Sequence, residues 1–216
     1  MKLSRFVKSL VVSCALGSTA GCGEALRDGE YVGEAIYVVQ GDVKSLAPVE
    51  EGGTTRVTLA WDNWVREGDI ISFQGVELTS KNPPFDYELR VVEPPALEML
   101  NELEDGRIGF AYLYVYEDLD GDGRPDHGQS DWSSLRGMAR NHVVVYVPEL
   151  TGGLKATLRE LELFTNVDAL KPGFNLARGV CATEENTFDK LEIVPNEPVT
   201  VSAPDDGSVP SCINYH

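Results

Sequence analysis

Between Phe85 and Val91 the chain alternates without a break: Phe85, Tyr87, Leu89 and Val91 are apolar, while Asp86, Glu88 and Arg90 are charged. Successive side chains of a strand point to opposite faces, so this run predicts a strand with one buried and one wet face. Arg56 to Trp61 has the same period, with Val57, Leu59 and Trp61 on one side and Arg56 and Thr58 on the other. Further short β segments stand between turn residues. Ala35 to Val43 ends before Pro48 and Gly52-Gly53, Ile70 to Leu78 follows Gly68-Asp69, and His142 to Val147 is closed by Pro148. Phe174 to Val180, Lys190 to Val194 and Val199 to Ser202 read as late strands. Ile108 to Tyr116 is apolar at nearly every position, which predicts a central strand covered on both faces. Ala96, Leu97, Leu100 and Leu103 recur at helical spacing after Pro95 and before Gly106, which predicts a helix of two to three turns. Trp132 to Arg140 and Leu158 to Phe164 fit either type of element. The expected architecture is mainly β: a single antiparallel β-sandwich over residues 33–216 with one or two short helical insertions.

The first 21 residues follow a different logic. Lys2, Arg5 and Lys8 form a basic start, Leu10 to Leu16 is apolar, and small residues follow from Gly17 to Gly21. That is the order of a secretory signal. The apolar run is too short for a membrane-spanning helix, which needs about 20 residues. Thr19-Ala20-Gly21-Cys22 resembles the box at which bacterial lipoproteins are cleaved and acylated, although Thr19 stands where Leu is usual. The expectation is a signal peptide at 1–21, lipid on Cys22 and a tether over 22–32. The membrane is then a partner through the acyl chains, each buried CH₂ contributing about 0.8 kcal/mol. The competing reading is an ordinary signal peptide cut near Ala20. Gly23 after the cysteine, in place of Asp, favours the outer over the inner membrane.

Once Cys14 leaves with the leader and Cys22 carries lipid, Cys181 and Cys212 remain. Two thiols in an oxidising compartment are expected to pair, closing a loop of about 30 residues worth roughly 3–4 kcal/mol. Neither has a nearby CxxC partner or clustered histidines, which argues against zinc.

Loss of Lys2, Arg5 and Lys8 moves the formal charge from −17 to −20. Phosphate recognition requires basic patches, so no nucleic-acid partner is expected. Such acidity suits an envelope protein that binds divalent cations.

The motif with most chemical content is Asp118-Leu119-Asp120-Gly121-Asp122-Gly123-Arg124-Pro125-Asp126. Its acids occupy positions 1, 3, 5 and 9 of a calcium-type loop, and the Arg124 carbonyl would serve at position 7. Calcium takes six to eight hard oxygens at about 2.3–2.6 Å, and carboxylates this close repel unless a cation sits among them. The predicted metal set is therefore Asp118, Asp120, Asp122, Arg124 and Asp126, holding a structural calcium, with Asp131 or a water completing the shell. An EF-hand is excluded, because a strand precedes the loop and Gln129 stands where a bidentate Glu is required. A solvated acidic turn is the alternative.

Catalytic patterns are absent from the sequence: it has no HExxH, GxSxG or P-loop. Its histidines are His127, His142 and His216, and acid pairs such as Glu102 and Glu104 arise by abundance among 35 acids. Trp61 and Trp64, with Phe73 and Tyr87 on neighbouring strands, could form an aromatic sugar platform; the favoured reading is that Trp61 sits in the core and Trp64 covers an edge.

Arg56-Val57-Thr58-Leu59-Ala60-Trp61, Phe85 to Leu89 before Pro94-Pro95, and Ile108-Gly109-Phe110 leading through Val115-Tyr116-Glu117-Asp118 into the loop together resemble uncharacterised bacterial lipoproteins of the myxobacterial kind. The first strands are also similar to transthyretin-like and carboxypeptidase-regulatory β-sandwiches. The resemblance implies an accessory module and no particular reaction. The expected function is that of a lipid-anchored envelope protein, calcium-stabilised, binding or structural, with an unidentified protein or glycan partner. A hydrolase and a carbohydrate-binding module are the alternatives.

Overall fold

A computed structural model of the 216-residue chain describes residues 33–48, 53–63, 71–78, 82–124, 134–181 and 188–204. Ten strands and one α-helix occupy them: β1 (Tyr37–Val43), β2 (Thr54–Asp62), β3 (Ile71–Glu77), β4 (Phe85–Val91), β5 (Asn101–Leu103), β6 (Gly106–Asp118), β7 (Leu135–Val147), α1 (Gly152–Glu160), β8 (Gly173–Cys181), β9 (Phe188–Val194) and β10 (Val199–Val201). The chain is mainly β, in two sheets of mostly antiparallel strands consistent with a β-sandwich.

The larger sheet runs β3-β2-β6-β7-β8-β9, with β5 beside β6 off that path; the smaller runs β10-β1-β4. β4 shows the alternation that its sequence demands, with Tyr87, Leu89 and Val91 buried and Asp86, Glu88 and Arg90 exposed. Its buried side meets the larger sheet. Val39, Val43, Tyr87, Leu89 and Val91 of the small sheet pack with Val57, Leu59, Trp61, Leu113 and Val115 of the large one in a single cluster. Trp61 lies at its centre, fully buried, and its indole Nε1 donates to Gln74 Oε1 at 2.8 Å.

The opposite face of the larger sheet is also covered at one end. Ile108, Phe110, Val143, Val145 and Val147 there pack with Leu154 and Leu158 of α1. Those two leucines stand one helical turn apart, so a single stripe faces the sheet. The Thr151 side chain accepts from Leu154 N at 3.0 Å, capping the first turn. β6 is consequently buried on both faces, as its unbroken apolar run requires.

One predicted element differs from expectation. Residues 96–103 form a 3-10 turn over Leu97–Met99 followed by β5, where a helix was predicted. Helical spacing would have buried Leu97 and exposed Met99, yet Leu97 is 62% exposed and Met99 1%. Side-chain amides decide the outcome: Asn63 Nδ2 donates to the Glu98 and Leu100 carbonyls at 2.8 and 3.0 Å, and Asn101 Nδ2 to the Ile108 carbonyl at 3.3 Å. The two ambiguous segments also resolve. Residues 135–147 form one long strand, Trp132 and Ser133 lying outside the described residues, and the helix occupies 152–160, ahead of most of the Leu158 to Phe164 stretch. One pairing is parallel: β1 with β10, Gly41 opposite Val199. A Cβ at Gly41 would collide with the Val199 carbonyl, so only glycine permits this approach.

Burial pushes the Tyr37 and Tyr112 hydroxyls up to about 12 from an ordinary value of 10, with the charge of Asp62 adding to the effect at Tyr112. The folded chain therefore keeps protons that the unfolded chain releases first. The contribution of these two tyrosines to stability is fully present below pH 10 and is lost as pH rises through 10 towards 12. Urea midpoints measured stepwise across that window should decline, and Tyr112→Phe should flatten the decline. A second expectation concerns the helix. Leu158→Ala should cost about 2–5 kcal/mol in urea unfolding. Leu161→Ala, at a half-exposed position, should stay within about 0.5 kcal/mol of wild type.

Candidate metal site

β6 ends by placing two consecutive acids on opposite faces of the sheet. Glu117 lies on the inter-sheet side, the side of Leu113 and Val115. There Arg136 Nη1 approaches Glu117 Oε2 at 3.3 Å and donates to Thr55 Oγ1 at 2.8 Å, while Thr55 Oγ1 donates to Glu117 Oε2 at 2.9 Å. Arg136 Nε also reaches the Ala47 carbonyl at 3.2 Å. Asp118 faces the other way, and Arg56 Nε donates to its Oδ2 at 2.7 Å. Both acids are buried, so each charge needs its guanidinium.

Beyond Asp118 the chain turns on two glycines, Gly121 and Gly123, with φ of +79° and +80°. A side chain at either would meet no neighbour, so the requirement for glycine is conformational. The turn folds back onto Asp118. Gly121 N donates to its Oδ1 at 2.8 Å and Gly123 N to its Oδ2 at 3.0 Å. Tyr116 Oη closes the ring by donating to the Gly123 carbonyl at 2.6 Å. Asp122 N donates to Asp120 Oδ1 at 3.0 Å and Arg124 N to Asp122 Oδ1 at 2.7 Å.

The carboxylates of Asp118, Asp120 and Asp122 each offer an oxygen within 4.8 Å of the others. Two oxygens on one calcium lie at most about 5 Å apart, twice the bond length, so one ion can span all three. The donor set is hard oxygen throughout, as calcium prefers. Asp118 is the constrained member. A carboxylate has four lone-pair positions, and Arg56, Gly121 and Gly123 take three of them. Its remaining capacity lies on Oδ1. Asp120 and Asp122 are exposed.

Of the predicted set, the structure thus brings together Asp118, Asp120 and Asp122, and puts the Arg124 amide on the Asp122 carboxylate. Asp126, Asp131, His127, Trp64, Cys22 and Cys212 lie outside the described residues. Cys181 ends β8 opposite Phe188. Sequence reasoning missed Arg56, Arg136 and Tyr116. The available signal was electrostatic: two acids ending a run of buried apolar residues demand cations, and both arginines lie on strands that flank it.

The other candidates disperse. His142 Nε2 lies 3.0 Å from Glu197 Oε1, and Arg178 reaches the same oxygen at 3.4 Å. Glu102 and Glu104 are both exposed, and Glu102 pairs with Arg107 at 3.1 Å. An aromatic platform built on Trp61 and Tyr87 is corrected by their burial. Trp61 fills the core, and Tyr87 Oη donates to the Val199 carbonyl inside the sandwich at 2.8 Å. No helix among the described residues is long and apolar enough to cross a membrane.

No protein-family model matches the chain, and neither a curated protein nor a solved structure matches it.

Removing one member of the buried Glu117–Arg136 pair leaves the other charge uncompensated, at a cost of about 3–5 kcal/mol. Glu117→Leu and Arg136→Met should each lose that much in chemical denaturation. The Glu117→Leu, Arg136→Met double variant should lose clearly less than the sum of the singles. Additive losses would show that the two side chains are not coupled.

Proposed function

We propose that the chain is a lipid-anchored protein of the bacterial cell envelope, whose β-sandwich is stabilised by calcium in the 118–126 loop and serves as a binding or structural module. The observation that supports the calcium reading best is the approach of Asp118, Asp120 and Asp122 to within reach of a single ion. Arg56 opposes it by bringing a positive charge to Asp118 Oδ2, so the ion is drawn towards Oδ1 and the two exposed carboxylates. A neighbouring cation and exposed ligands favour modest affinity, in the range of about 10⁻⁴ to 10⁻³ M seen in extracellular modules. At millimolar calcium such a site is half to mostly filled and acts as a staple on the end of β6.

The anchoring reading rests on Thr19 to Cys22 and the basic-then-apolar order before them. Charge is compatible with it. At −20, the chain gains nothing from an anionic surface, so a covalent lipid is the means of attachment that the composition leaves. Lipid on Cys22, outer-membrane placement and a glycan or protein partner all belong to this proposal.

Thermal unfolding of residues 23–216 tests the calcium reading. One millimolar calcium over a Kd of 10⁻⁴ to 10⁻³ M adds about 0.4–1.4 kcal/mol. For a domain of this size that raises the midpoint by roughly 1–6 °C over a chelator control. Asp120→Ala should abolish the increment while leaving the chelated midpoint in place. An unchanged midpoint with calcium would reduce the loop to a solvated acidic turn.

A further inference from the structure

We propose that two copies of this chain join antiparallel through β4, so that their three-stranded sheets become one sheet of six strands. The pairing needs neither the lipid at Cys22 nor an ion in the acidic loop.

A sheet edge presents unpaired N–H and C=O groups that a further strand can claim. The two sheets end in β3, β9, β10 and β4. Two of these ends are engaged. Along β9, Leu191 N donates to the Leu163 carbonyl at 2.8 Å and Thr165 N to the Leu191 carbonyl at 2.9 Å. Just past β10, Ser202 and Met138 of β7 exchange backbone hydrogen bonds at 3.1 and 2.9 Å. Among the described residues β3 and β4 each pair with a strand on one side only. β3 carries a single charged side chain, Glu77, so two copies of it have no opposite charges to align.

β4 does have them. Asp86, Glu88 and Arg90 are exposed on its wet face. Arg90 Nε lies 3.3 Å from Glu88 Oε1, and the two side chains are 41% and 54% exposed, within reach of a partner strand. A slip of one residue would turn the core face outward, so the registers open to a second copy are two residues apart. Opposite charges set across from each other stabilise a strand pair and like charges weaken it, and this selects among them. With Leu89 opposite Leu89 of the second copy, Glu88 faces Arg90 twice, and the four side chains close a ring of alternating sign. Tyr87 and Val91 then face each other on the core side. Centring the pair on Glu88 or on Arg90 sets that charge against itself, and centring it on Tyr87 sets Asp86 against Glu88 twice. The axis through Leu89 makes the contact self-complementary, which closes it as a dimer.

Sedimentation equilibrium of the full chain in density-matched detergent should show a monomer–dimer equilibrium. Glu88→Arg and Arg90→Glu should each weaken it about tenfold or more, because both cross-strand pairs become repulsive. Their urea midpoints should stay at the wild-type value, since both sites are exposed. An equimolar mixture of the two variants should recover the wild-type constant as a heterodimer, the chain with two arginines facing the chain with two glutamates. A merely structural effect of either substitution would not be cured by mixing. A chain that stays monomeric at every concentration would overturn the proposal, and so would a dimer indifferent to both substitutions. Weakened variants whose mixture stays weak would overturn the register centred on Leu89.

Discussion

Burial of β6 on both faces is the constraint on which the rest of the molecule depends. A strand so placed must find apolar partners above and below and ladder partners on each edge. The inter-sheet core supplies one face, and Leu154 and Leu158 of α1 pack with Ile108 and Phe110 on the other. β2 and β7 flank it, and β5 extends the β2 side beyond Asp62. Water has no access to the end of such a strand either. The acids at positions 117 and 118 are tolerated there because Arg136 and Arg56 approach from opposite faces.

That arrangement gives the acidic loop an asymmetric character. Asp118 belongs to the fold, fixed by a guanidinium and two backbone amides before any ion arrives. Asp120 and Asp122 belong to the solvent side, and each accepts a hydrogen bond from a backbone amide of the turn. An ion bound here would draw two loose ligands towards one rigid one, and the main ordering cost would fall on the turn alone. Tight, sensor-like binding would call for more preorganised donors than the described residues provide.

The strands with a clear period were legible in the sequence. Phe85–Val91 is reproduced to the residue, and the apolar run from Ile108 correctly announced a strand covered twice. What escaped was set by partners distant in sequence. The helix prediction at 96–103 failed because Asn63, more than thirty residues away, claims the backbone carbonyls of that segment. The helix at 152–160 hid behind Gly152-Gly153, poor helix formers at which the Thr151 cap carries the start. The acidic loop was legible because its glycines and aspartates are local. Its arginine counterpart was not, since Arg56 reaches Asp118 from 62 positions upstream.

The pairing of β1 with β10 has a consequence in time. Most neighbours in the larger sheet are consecutive in the chain, so hairpins such as β2-β3 and β6-β7 can zip as soon as both halves exist. The smaller sheet cannot. Gly41 waits for Val199, 158 positions later, and contacts of such span form slowly. Until residue 199 arrives, a nascent chain holds a nearly finished platform whose Val57, Leu59, Leu113 and Val115 side lacks part of its cover. The last strand to be made thus completes the cover of the first sheet to be framed.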